Sequence, residues 1–302
     1  MSPQRLLFFA IVMISGIALS WLLYLAEIST PFEATLAPAF QLLGRPVKAV
    51  DRALTRVLPI DGVDEAAFGD AIARRYEPHS GGSVEQQLYA QRLLSEVSEL
   101  GRKGFSYRVY LIETEEPNAF ALPGGIVVIT TGLLSTLKSE SELAAVLAHE
   151  VGHVELSHCL DRVRFEILSR KIGSASLGEL ADLAMTLMLR HTFSKTQEEE
   201  ADEYAWAYLR QSDYDPWALG LAFHRLLEGH GETGHERSAL NPVLEYLQTH
   251  PHLELREERY RERAKVWREN HPSDQRYVGR SNLLSLTPMS IDDSDSSEWK
   301  TD

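Results

Sequence analysis

The sequence predicts an α+β fold, predominantly helical with one small sheet, and three observations lead to it. Apolar residues recur at helical spacing over most of the chain, as in VEQQLYAQRLLSEVSEL and AAVLAHEVGHVELSH. Only residues 105–130 are rich in alternating β-branched and aromatic residues, so the sheet is small and interrupts the helices. One uncharged run, LLFFAIVMISGIALSWLLYLA at 6–26, fits neither pattern. The organisation that follows is an N-terminal transmembrane helix within 1–26, a connector at 27–62, a main domain at 63–272 and an acidic, disordered tail at 273–302.

Residues 6–26 are long enough to cross a hydrocarbon core of ~30 Å as a helix. Arg5 precedes the run, Glu27 and Glu33 follow it, and no basic residue comes before Arg45. That asymmetry predicts a single-pass, N-in anchor with the rest of the chain on the non-cytoplasmic, periplasmic or extracellular side. Ala18-Leu19-Ser20 offers the alternative, a cleaved signal and a secreted product, but the apolar run continues through WLLYLA beyond it. Four prolines (Pro31, Pro38, Pro46 and Pro59) punctuate the connector.

From Asp64 the helical pattern runs through DEAAFGDAIARRYE, breaks at PHSGGS and resumes, so two helices precede the first strand. FSYRVYLIETE is that strand; AFALPGGIVVITTGLL supplies the second around Ile126–Thr130, and the two pair. Ser139-Glu140-Ser141-Glu142 caps a helix that, Gly152 aside, meets no breaker until Gly173. GELADLAMTLMLR at 178–190 is short for a second span and reads as a buried or cleft-lining helix. Thr196 with Glu199 caps QEEEADEYAWAYLRQ, and another helix runs from Pro216 to about Glu228. GHGETGHERSALNP is a loop, LELREERYRERAKVWREN is a charged helix, and DDSDSSEWKTD reads as disordered.

A net charge of -14 argues against nucleic acid as a partner, because tracking phosphates needs clustered Lys and Arg. Cys159 is the sole cysteine, which rules out an intramolecular disulfide and a multi-cysteine zinc site. Oligomeric state is not legible.

Chemistry concentrates in HEVGH. His149 and His153, four apart on a helix, share a face and can converge on one metal ion, with Glu150 about 100° round beside it. In this HExxH arrangement the glutamate is the general base for a zinc-activated water. A third ligand is needed. Position 159, ten after His149, is a cysteine, and His158 sits one residue short and reads as structural or surface. In QEEEADEYA, Glu198 and Asp202 share a face of a second helix; Glu198 can bind the metal while Asp202 orients a ligand histidine through its other ring nitrogen.

HEVGH, then EEEAD about fifty residues on, with NAFALPGG upstream, resembles the HtpX, Oma-type and BepA/LoiP group of gluzincin metallopeptidases, relatives of the CAAX prenyl proteases, over residues 64–270. The resemblance implies a zincin-like catalytic domain holding one zinc ion through His149, His153 and Glu198. It also implies an edge strand beside the zinc, here Gly124, Gly125, Ile126, Val127 and Val128, holding a substrate peptide by strand addition. THPHLELR then supplies His250 to stabilise the oxyanion, with Arg256 in support. The function implied is hydrolysis of peptide bonds in unfolded or misfolded membrane or envelope proteins. The alternative is a membrane-anchored, chaperone-like binding module with a structural zinc, whose fourth position is filled by the loop from Gly229 to His250. The same loop can be a reversible lid on an enzyme.

Overall fold

The chain divides into two units, Met1–Pro59 and Ile60–Asp302. The computed structural model describes residues 62–76, 81–169, 182, 184–187, 193–232, 250–289 and 298–300, all in the second. The apolar run at 6–26 and the connector lie outside the described residues. Among those described, no helix is long and apolar enough to cross a membrane.

Among the described residues two helices come first, α1 (Gly62–Tyr76) and α2 (Val84–Ser98). A reciprocal capping box starts α2: Gln86 N–H donates to Ser83 Oγ at 3.2 Å and Ser83 N–H to Gln86 Oε1 at 2.8 Å. Such a cap satisfies two otherwise orphaned donors and contributes about 1 kcal/mol. The buried stripe of α2, Tyr89, Ala90, Leu93, Leu94 and Val97, faces the core.

Three strands follow, β1 (Arg108–Ile112), β2 (Ala119–Leu122) and β3 (Ile126–Thr130), in the order β1-β3-β2. The expected pair forms as a parallel ladder, Val109 opposite Val127, while β2 adds an antiparallel ladder with Phe120 opposite Val128. This corrects the assignment of Gly124–Val128 to an edge strand: β3 is central, with both sides occupied. Sequence pattern missed β2 because a four-residue, wholly buried run carries no alternation. Gly124 and Gly125, at φ +80° and +85°, turn the β2–β3 hairpin. A Cβ on Gly124 would lie 2.4 Å from the Gly69 Cα of α1, so close helix packing also demands glycine there. The outer edge of β1 is taken by α2, whose Gln91 accepts from Val109 N–H at 3.0 Å and donates to Tyr107 O at 3.0 Å. Among the described residues that leaves β2, packed on the next long helix, as the strand with an outer edge.

After the short α3 (Thr131–Thr136), Ser139 caps α4 (Glu140–Glu155), and residues 140–154 of α4 are buried on every face. A helix enclosed in this way is the centre of its domain; it packs against α2, β2, α6 (Lys195–Gln211) and α7 (Trp217–Glu232). The helix does not run on as expected. Ser157 adopts φ +64°, a left-handed conformation that redirects the chain into α5 (His158–Ser169). The cap of α6 also differs from expectation. It is Ser194 with Gln197, two residues before Thr196 and Glu199, again as a reciprocal box.

Most of 178–190, and all of 233–249, lie outside the described residues. The charged helix is α8 (Leu253–Asn270), packed on α7. Part of the presumed disordered tail is built into the fold as β4 (Arg276–Tyr277), α9 (Arg280–Ser285) and β5 (Trp299–Lys300). The reason is local to α4: Gly279 O and Val278 O accept from Glu140 N–H and Ser141 N–H at 2.9 and 3.1 Å, satisfying helix donors that would otherwise be orphaned in the core. The buried Glu140 carboxylate accepts from Tyr89 and Tyr214 hydroxyls, each at 3.0 Å, and from Met289 N–H at 2.9 Å.

Candidate metal centre

One helical turn along α4 sets His149 and His153 on the same side, with their Nε2 atoms 3.1 Å apart. From α6, Glu198 reaches the same point, Oε2 3.5 Å from His149 Nε2 and Oε1 3.6 Å from His153 Nε2. His250, just ahead of α8, places Nδ1 3.3 Å from His149 Nε2 and 3.1 Å from Glu198 Oε1. One donor atom from each of these four side chains lies within 4.8 Å of the others, and all four are buried.

Three imidazole nitrogens and one carboxylate converging in a dry interior are a donor set that fits zinc or a similar divalent ion. The outward ring nitrogens support the fit. His149 Nδ1 lies 3.0 Å from Asp202 Oδ1, and His153 Nδ1 lies 3.1 Å from His158 Nδ1. A proton held on each Nδ1 leaves both Nε2 lone pairs aimed inward. Arg256 ties the carboxylates together: Nη1 lies 2.6 Å from Glu198 Oε2, while Nη2 and Nε grip Asp202 at 2.7 and 2.9 Å. Its guanidinium rests 4.4 Å above the Phe223 ring.

Burial dominates the electrostatics. It works against the His149 imidazolium, but hydrogen bonds to Asp202 and Glu198 outweigh it and push the pKa up to about 9, so a cation would bind Nε2 in place of a proton. At His153, burial and the neighbouring His149 charge act together and hold the pKa well below the ordinary value. Burial opposes ionisation of Glu198, yet the His250 and Arg256 charges keep its carboxyl well below the usual carboxylate range. Asp202 is lowered against its burial by Arg256 and His149.

Glu150 differs from the other acids. It is wholly buried, and neither carboxylate oxygen accepts a hydrogen bond from the described residues; His250 Nε2 lies 3.5 Å from Oε1. Burial pushes its pKa up.

His149, Glu150, His153, Glu198, Asp202, Arg256 and His250 thus meet in one place. His250 Nδ1 stands within the donor set itself. Gly124 and Gly125 instead serve the hairpin against α1. Three contributors were missed: His158, whose Nε2 lies 3.2 Å from Glu200 Oε2; Glu200 itself; and Phe193, stacked on His153 at 3.8 Å beneath the Arg162 guanidinium. The HEVGHVELSH spacing held a signal for His158, but it has no meaning on a continuous helix.

The model of peptidase family M48 matches residues 84–264. The mitochondrial metalloendopeptidase OMA1 of Schizosaccharomyces pombe is 30% identical over 191 residues, 61% of this chain and 52% of that protein. Metalloprotease LoiP of Escherichia coli is 33% identical over 153 residues, 46% of this chain and 59% of that protein. The beta-barrel assembly-enhancing protease of Escherichia coli is 29% identical over 201 residues, 60% of this chain and 39% of that protein. The chain therefore spans from about two-fifths to three-fifths of the length of these relatives. The matched stretch begins with α2 and ends within α8, taking in every residue of the buried cluster, and on that basis the chain belongs to peptidase family M48.

Proposed function

We propose that the protein is a zinc-dependent endopeptidase that hydrolyses peptide bonds in unfolded or misfolded membrane or envelope proteins. The observation that carries this reading is Glu150. A buried carboxylate beside a metal-binding donor set, with no hydrogen bond to settle it, is costly to a fold and has no use at a purely structural site. It is what a general base requires.

His149, His153 and Glu198 would hold the ion, with Asp202 and Arg256 fixing the orientation of His149 and Glu198. Zinc bound there would supply Lewis-acid chemistry, acidifying a water and polarising a peptide carbonyl. Glu150 takes a proton from the attacking water at a carboxylate oxygen and returns it to the leaving amine nitrogen. A pKa raised by burial brings it nearer to neutrality, where a group that must both accept and release a proton works best. His250 Nδ1, within the same cluster, would offer the ion a fourth protein donor, where a catalytic site keeps a place for water. Strand addition passes from β3 to β2, since β3 has no spare edge.

Segment 6–26 would anchor the chain, N-in, with the metal centre on the non-cytoplasmic side. The names of the relatives, proteases and one enhancer of β-barrel assembly, favour a polypeptide substrate in such a setting. The complete four-donor set favours one second reading, a binding module with a structural zinc. Casein cleavage by the full-length protein, with and without chelator, separates the two. Glu150→Gln should retain zinc and fold and lose cleavage; an active Glu150→Gln protein refutes the mechanism. Zinc-loaded wild-type protein that never turns over casein favours the binding module.

A further inference from the structure

We propose that His158 and Glu200 position His153, forming a hydrogen-bonded relay from α5 to α6 that fixes the tautomer of a metal-binding imidazole. The inference rests on the metal centre described above. Because His153 Nε2 faces the donor set, the proton of the neutral ring sits on Nδ1. That N–H points at His158 Nδ1, 3.1 Å away, which must accept. His158 then carries its own proton on Nε2, 3.2 Å from Glu200 Oε2. Both tautomers follow from one assignment.

The same helix thus serves both ligand histidines. Two residues beyond Glu198, Glu200 ends the chain that begins at His153; four beyond, Asp202 accepts directly from His149 at 3.0 Å. The relay needs an intermediate ring, and the left-handed Ser157 supplies it. On an unbroken helix, five residues amount to about 500° of rotation, which would leave His158 about 140° away from His153. With Ser157 at φ +64°, His158 instead folds back against His153 and is 4% exposed. Phe193, stacked 3.8 Å from His153, holds the ring plane, and the relay holds its protonation pattern. Partners of this kind raise ligand basicity and are worth about 10- to 100-fold in metal affinity.

The test is zinc affinity of the full-length protein by competition with a chromogenic chelator, with thermal melts as a fold control. His158→Phe fills the space without an acceptor and should weaken zinc binding by about 10- to 100-fold. His158→Asn offers an amide oxygen to His153 N–H and should recover most of that loss, a ranking opposite to the one packing alone would produce. Glu200→Ala, at a side chain 40% exposed, should weaken zinc severalfold without unfolding the protein, and Glu200→Gln should not. In ¹⁵N-histidine spectra, His153 should show an Nδ1–H and His158 an Nε2–H. Unchanged affinity in His158→Phe or Glu200→Ala, or equal losses in His158→Phe and His158→Asn, overturns the relay alone. Wild-type protein that binds no zinc overturns the metal centre and the relay with it.

Discussion

Replacing Glu198 by Gln, with Glu199→Gln as its neighbour control, tests the register of α6 against the metal. Glu198 is 1% exposed, its Oε2 is 2.6 Å from Arg256 Nη1, and both oxygens lie within 3.6 Å of ligand imidazoles. Removing one partner of a buried ion pair costs about 3–5 kcal/mol. Arg256 keeps its two-point grip on Asp202, which puts the expected loss at the lower end, about 3 kcal/mol. For a domain of this size that lowers Tm by about 6–12 °C. Zinc affinity should fall by more than the roughly 100-fold that marks the upper range for outer-shell partners, because a charged donor is lost outright. Glu199 pairs with Arg259 at 3.2 Å with 38% of its side chain exposed, so its loss should cost under about 1 kcal/mol and leave zinc binding unchanged. Chelator competition and thermal melts on both variants decide the matter. Equal effects on zinc affinity would mean that α6 presents a different carboxylate.

If His250 is a fourth donor, as proposed, His250→Ala should raise casein turnover while weakening zinc binding; a fall in turnover with zinc still bound would favour the oxyanion role instead. Glu140 predicts a pH dependence remote from the metal. Burial pushes its pKa up to about 7 from an ordinary 4.5, against the hydrogen bonds from Met289, Tyr89 and Tyr214. The folded state therefore holds the proton more tightly than the unfolded chain, and this group's contribution to stability is lost as pH rises from 4.5 to about 7, by about 3 kcal/mol in all. Glu140→Gln keeps its acceptor for Met289 and Tyr214 and can donate to Tyr89, so it should stabilise the protein at pH 8 and not at pH 4.5. Parallel urea-melt profiles for the two proteins across that range would contradict this.

Features governed by a short chain period were determined by the sequence alone. The 3.6-residue turn places His149 over His153 and Glu198 over Asp202 whatever surrounds them, and the charged run 253–270 is helical for the same reason. Strand β3 was legible because five consecutive β-branched residues leave few alternatives. Only the tertiary structure decided which groups those faces meet. His158 reaches His153 through a left-handed serine, His250 enters the donor set from ahead of α8, and β2 displaces β3 from the sheet edge through a glycine turn pressed on α1. The tail joins the fold because the buried start of α4 leaves N–H groups that distant carbonyls must satisfy. Each of these contacts joins residues whose proximity no local period encodes, and each is enforced by the cost of leaving polar groups unpaired in a dry core.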